Sequence, residues 1–206
     1  MPDPEIRKFN PDEARDYHGR WTEGGGDGTP DIHGSTATTA PSLDVHASVR
    51  EYESKYVEMK TEIGQAWRSD GSSIFSGDGL VGNESSVFLS PDESKLLRDN
   101  PGSIFTHFHP SGHTLSMADI RFASFNNLGE VRAIGKNFIY SMKPGSSGAW
   151  PDIPTVVASY DKARAWVEKN VMRYYSGPDK PGHYTDEINA QFAFLTGLNY
   201  TKESRG

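Results

Sequence analysis

Three of the seven histidines fall within seven residues, in Thr106-His107-Phe108-His109-Pro110-Ser111-Gly112-His113. The chain has no cysteine, which excludes disulfide scaffolds, thiol nucleophiles and Cys-ligated zinc or iron–sulfur sites. Any metal must be held by His, Asp and Glu. His107 and His109 stand two apart at the end of a predicted strand, where side chains alternate, so both imidazoles leave the same face. That is the geometry for two nitrogen ligands on one ion. Asp119 lies ten residues beyond His109, in the first turn of a predicted helix, and the loop between can fold its carboxylate back toward the strand end. Two imidazoles and one carboxylate leave a fourth position for water on a zinc ion, the arrangement of catalytic rather than structural sites. Each part has a plainer reading. A His-x-His pair arises on surfaces by chance, and Asp119, three residues after Ser116, completes a helix capping box. The combination with Pro110-Ser111-Gly112 and Ser116 is what points to a metal site.

These residues resemble a known family. His107-x-His109-Pro110-Ser111-Gly112, followed by Ser116-x-x-Asp119, is similar to the JAMM (JAB/MPN) metalloprotease signature, in the His-Pro-Ser-Gly form of RadC-like and bacterial or phage JAB-domain proteins. The resemblance spans about residues 60–135. Six residues separate His109 from Ser116, one fewer than in the best-known members. The resemblance implies a JAB/MPN-like (cytidine-deaminase-like) α/β fold, a mixed sheet flanked by helices. It further implies one Zn2+ held by His107, His109 and Asp119, an upstream Glu as general acid/base, and Ser116 helping to stabilise the tetrahedral intermediate.

Glu62 fits the upstream acid, because it follows the first predicted helix and opens a predicted strand over 62–67. On alternation it shares a face with Gly64 and Ala66, whose small side chains leave room for a metal and a substrate backbone. Ile63, Gln65 and Trp67 face the other way. Glu84, in a Gly/Asn/Ser loop, is a rival for the role, whereas Glu93 is explained as a capping acid and His113 as a loop residue. The implied reaction is hydrolysis of a peptide or isopeptide bond in a peptide or ubiquitin-like protein substrate. Two other readings stand beside it. One is a non-catalytic JAB-like module that binds or assembles within a phage particle, with phage structural proteins as partners. The other is a peptidase serving as an effector or toxin module.

The elements that must position these residues can be read from periodicity. Val45, Val49, Tyr52, Tyr56 and Met59 recur at helical spacing. After the strand over 62–67, Ser69-Asp70-Gly71 signals a turn, with a second strand around Ile74-Phe75 and a third over Val87-Phe88-Leu89. Ser90-Pro91-Asp92-Glu93 starts a helix that Asn100-Pro101-Gly102 ends. Residues 103–107 read as strand, and Ser116-Met117-Ala118-Asp119 starts a helix running to about Asn126. Residues 130–135 and 137–140 form a strand pair about Gly135-Lys136. Two helices follow, one with Val156, Tyr160, Ala163, Val167, Val171 and Tyr174 on a stripe, the other with Ile188, Phe192 and Leu195. The expected α/β domain covers residues 42–200.

Residues 1–41 differ, with five prolines, a Gly24-Gly25-Gly26 run and almost no aliphatic side chains. Such a segment buries too little apolar area to offset its ordering entropy and reads as a disordered tail. Within it, Phe9-Asn10-Pro11, Arg15-Asp16 and Gly19-Arg20-Trp21-Thr22 (residues 9–22) resemble a short segment found near the ends of phage and prophage structural proteins. Hydrophobic residues make up only 34% of the 206, below the ordinary ~45–50%, consistent with an unpacked portion. Twenty-eight acidic against 21 basic side chains give a net charge of −7. That opposes a nucleic-acid partner, including a RadC-like role near DNA, because phosphate contacts normally require a basic face. Residues 1–11 lack a signal-peptide pattern, and no apolar run approaches the roughly 20 residues that span a bilayer. A soluble chain, cytoplasmic or virion-associated, with no membrane partner is expected.

Overall fold

A computed structural model describes residues 44–55, 59–84, 86–175 and 180–205. The expectations for residues 1–41 and for Tyr56 fall outside the described residues. The chain is a mixed α/β structure. Its six-stranded sheet has the order β2-β1-β3-β4-β5-β6, built from β1 (Ile63–Trp67), β2 (Leu80–Val81), β3 (Ile104–Phe108), β4 (Glu130–Ile134), β5 (Phe138–Lys143) and β6 (Asn199–Ser204). The helices are α1 (Val45–Lys55), α2 (Pro91–Arg98), α3 (Met117–Phe125), α4 (Ile153–Asn170) and α5 (Lys180–Thr196). Only β3 and β4 pair in parallel, with α3 as their crossover; the other neighbours are antiparallel. Among the described residues no helix is long and apolar enough to cross a membrane.

Strand alternation sorts the core into two layers. Val49 and Tyr52 of α1 pack with Ile63, Trp67, Ile104, Phe108 and Ile134 on one face. On the other, Ala66, Phe105, Val131, Ala133, Tyr140 and Met142 join the apolar stripes of α3, α4 and α5. The α1 face also buries charge. Arg132 of β4 donates to both carboxylate oxygens of Glu53 on α1, at 2.7 and 3.0 Å, and to Glu130 at 2.7 Å. Thr106 of β3 donates to Glu53 at 2.8 Å. A buried charge survives only when paired and hydrogen-bonded, and this set meets the condition. Because Thr106 is tied toward α1, the next side chain, His107, is committed to the opposite face.

Several expected elements differ. No strand forms at Ile74-Phe75. The pairing stops at a single bridge between Trp67 and Ser73, because the Gln65 amide takes both backbone groups of Phe75, at 3.1 Å each. The partner of β1 on that side is instead Leu80–Val81. Residues 86–90 form no strand. The alternation in Val87-Phe88-Leu89 is real, with Val87 and Leu89 against the core and Phe88 outward at 65% exposure, but it joins no strand of the sheet among the described residues. Helix α1 ends at Lys55, so Met59 packs from beyond the helix. Helix α4 ends at Asn170, and the 3-10 turn Met172–Tyr174 rotates Tyr174 out to 55% exposure, off the predicted stripe. Finally, the ordered chain extends past residue 200, since β6 pairs with β5 over six residues up to Ser204.

Candidate metal centre

The site is assembled at the carboxyl end of β3 and the start of the crossover helix, where open α/β sheets place their ligands. His107 lies on β3 opposite Gly64 of β1. A Cβ on Gly64 would come within 2.7 Å of the Phe105 ring, so glycine there lets that ring lie stacked on the His107 imidazole, 5.6 Å between centroids. His109 stands just beyond the strand, yet its N–H still donates to the Ile134 carbonyl at 2.9 Å, which keeps the extended path and hence the shared face. The chain then turns: Gly112 N–H bonds the His109 carbonyl at 2.9 Å, with Pro110 second in the turn and Gly112 at φ 74°, a conformation glycine adopts without strain.

Asp119 is placed to serve both functions considered for it. Its Oδ2 accepts from the Ser116 N–H and from the Ser116 hydroxyl, at 2.7 Å each, while its own N–H donates to Ser116 Oγ at 3.3 Å, a full capping box at the start of α3. The other oxygen, Oδ1, lies 3.3 Å from His107 Nε2. Oδ1 faces His107, and the capping Oδ2 is also 3.7 Å from His109 Nε2. The Nε2 atoms of His107 and His109 are 2.8 Å apart, and the ligand atoms of His107, His109 and Asp119 all lie within 4.8 Å of one another. Together they can bind a metal ion.

The tautomers favour this. His109 Nδ1 lies 2.9 Å from the His113 carbonyl. A carbonyl only accepts, so Nδ1 carries the hydrogen and the Nε2 lone pair faces the cluster. Burial and the neighbouring His107 charge push His109 down to about 4, against the pull of Asp119. Burial alone would lower His107 as well, but the charge and hydrogen bond of Asp119, with help from Glu62, outweigh it, and its pKa is raised. Asp119 is held well below the usual carboxylate range: burial works against this, and the His107 charge and hydrogen bond, then His109 and Ser116, overcome it. The two facing nitrogens and the carboxylate border one gap, a position that suits a cation. His107 Nδ1 is buried without a hydrogen-bond partner among the described residues.

Glu62 sits one residue before β1, its backbone bonded to Asn83 and Gly82. Its Oε1 lies 3.8 Å from His109 Nε2, and the side chain is 9% exposed. Burial raises its pKa, His107 opposes this and Asp119 adds to it. Glu84 lies exposed on the rim of the same cleft, which encloses about 520 Å³. Ser116 and His113 also line it. Glu93 does not; it completes the capping box with Ser90, as expected.

The sequence reading missed the brace behind the loop. Asn189 of α5, fully buried, donates to Thr114 Oγ1 at 3.1 Å and to the Leu115 carbonyl at 2.8 Å. Thr114 Oγ1 meets the Tyr200 hydroxyl at 2.6 Å, and Tyr200 donates to Asp186 at 2.7 Å, which also holds Lys202 at 2.7 Å. A carboxylate only accepts, so the chain of donors runs from Asn189 through Thr114 and Tyr200 to Asp186. Burial, with the Asp186 charge, lifts the Tyr200 phenol well above its usual range and keeps it a neutral donor. A polar Asn next to Ile188 in an apolar helical stripe was the available signal. No protein-family model, curated protein or solved structure matches this chain.

Proposed function

We propose that this chain is a JAMM-type zinc hydrolase of a peptide or isopeptide bond, built on a JAB/MPN-like fold. The observation that carries the reading is the convergence of two imidazole nitrogens and Asp119 Oδ1, with a separate buried carboxylate, Glu62, beside them. Two nitrogens and one carboxylate oxygen suit zinc and leave a position open. His107 Nε2, His109 Nε2 and Asp119 Oδ1 would hold it, with the His113 carbonyl fixing the orientation of His109. Zinc held there supplies Lewis acidity toward water and a carbonyl oxygen.

The protein groups do the rest. Glu62 Oε1 accepts the proton of the attacking water and returns it to the departing nitrogen, a single carboxylate serving as base and then acid. Ser116 orients Asp119 through its hydroxyl, and on rotation toward the cleft that hydroxyl can donate to the carbonyl oxygen as charge develops. The test is Glu62→Gln, which keeps the shape and removes the proton acceptor. Zinc content by elemental mass spectrometry should stay at one per chain. Hydrolysis of a quenched peptide library and of ubiquitin-like fusions should fall to background, while Glu84→Gln changes little. Loss of zinc in Glu62→Gln would make that residue a ligand and the centre structural. Loss of activity in Glu84→Gln alone would move the base to the rim.

A further inference from the structure

The cleft at the metal centre has a wall that the proposed chemistry does not use. Phe105 stacks on His107 at 5.6 Å and meets Phe122 at 5.0 Å, and Phe122 stands one turn after Asp119 on α3. From the segment before α2, Val87 and Leu89 turn their side chains toward the same cleft. Phe122, Val87 and Leu89 are only partly buried, so their apolar surface remains available to a ligand. The wall is continuous with the ligand residues, because Phe105 touches His107 and Phe122 shares a helix face with Asp119.

The charge of the cleft points the same way. Among the described residues that line it, Glu62, Glu84 and Asp119 are acidic, and there is no Lys or Arg. Three carboxylates exceed the two positive charges of a bound divalent ion, so an anionic group entering the cleft finds no countercharge. Sites that take a terminal carboxylate or a phosphate normally present an Arg fork or a Lys.

Resting on the zinc-hydrolase reading, we infer that the cleft selects an uncharged chain segment with an aliphatic or aromatic side chain beside the reacting carbonyl. Free carboxylates and acidic side chains are rejected there, which makes the substrate an internal peptide or an isopeptide linkage rather than a chain terminus. Phe122 and Leu89 are the specificity-determining residues, and Phe105 is the floor that holds both the side chain and His107.

Three hydroxamates test this on the zinc-loaded full chain by titration calorimetry: acetohydroxamate, 4-methylpentanohydroxamate and succinate monohydroxamate. They share the metal-chelating head and differ only in the tail. The branched aliphatic tail should bind at least about tenfold tighter than acetohydroxamate, the gain expected for covering one leucine-sized side chain. The succinate tail should bind no tighter than acetohydroxamate. Leu89→Ala and Phe122→Ala should each erase most of the aliphatic advantage and leave acetohydroxamate binding unchanged; Leu89 lies outside any helix or strand and guards against Phe122→Ala failing to fold. Equal affinity for the aliphatic and acetyl tails, or tighter binding of the succinate tail, overturns the inference while zinc uptake stands. A chain that takes up no zinc overturns the hydrolase reading, and this one with it.

Discussion

Replacing Asn189 with Ala should weaken both the fold and the metal centre, by separable amounts. Its side-chain amide makes two hydrogen bonds inside the core, at 3.1 Å to Thr114 Oγ1 and 2.8 Å to the Leu115 carbonyl. Each contributes about 1 kcal/mol net, and an orphaned buried carbonyl costs about 1–3 kcal/mol. Thr114 keeps Tyr200 as a partner, so only the Leu115 carbonyl is stranded. Asn189 Oδ1 is itself buried without a partner among the described residues, and its removal returns part of the loss. The net expectation is about 2–3 kcal/mol of destabilisation. Urea denaturation of the metal-free chain measures it through the shift in midpoint at constant slope. Thr114 follows His113, whose carbonyl orients His109, so loosening the loop should also lower zinc affinity by about 10–100-fold. A chelator competition in the folded baseline reads that separately. Unchanged zinc affinity alongside the stability loss would show that α5 braces the fold and not the centre. A shift below about 0.5 kcal/mol would refute the hydrogen-bond reasoning itself.

The remaining expectations concern single side chains. His107→Ala and His109→Ala should each abolish tight zinc binding, read by elemental analysis after dialysis; full occupancy in the double variant would sink the assignment. Ser116→Ala should cost about 1 kcal/mol as a lost helix cap and also lower zinc affinity, since the hydroxyl orients Asp119. Normal affinity with lower stability would leave the cap alone. Glu53→Ala should destabilise by about 3 kcal/mol, the low end for a broken buried pair, because Glu130 still faces Arg132. A neutral result in thermal melts would mean that water reaches Arg132.

Legibility in the sequence followed how local the determining physics is. The starts of helices α2 and α3 could be placed to the residue because their signals, Ser90 with Glu93 and Ser116 with Asp119, are closed within one turn. The common face of His107 and His109 followed from strand alternation and is seen in their 2.8 Å approach. What could not be read depended on distant partners. Strand β6 is polar throughout, Asn199-Tyr200-Thr201-Lys202-Glu203-Ser204, and is a strand because β5 lies beside it. Val87-Phe88-Leu89 has the alternation of a strand and joins no ladder among the described residues. Ile74 and Phe75 are buried as a strand would bury them, but one glutamine side chain replaces the ladder.

The same division between local and distant control bears on the six residues between His109 and Ser116, one fewer than the JAMM pattern would give. The relation of Ser116 to Asp119 is set by the capping box and is independent of loop length. Loop length governs only where the start of α3 falls relative to the end of β3. Two fixed points control that here. The turn from His109 to Gly112 reverses the chain directly after the second histidine, and the donors from Asn189 hold Thr114 and Leu115 immediately before the cap. Between them lies only His113, which spends its carbonyl on His109. A shorter loop pinned at both ends delivers Asp119 Oδ1 to 3.3 Å from His107. The first pin is local, but the second comes from α5 with Tyr200 of β6 behind it, so the C-terminal segment helps to hold the loop that presents Asp119.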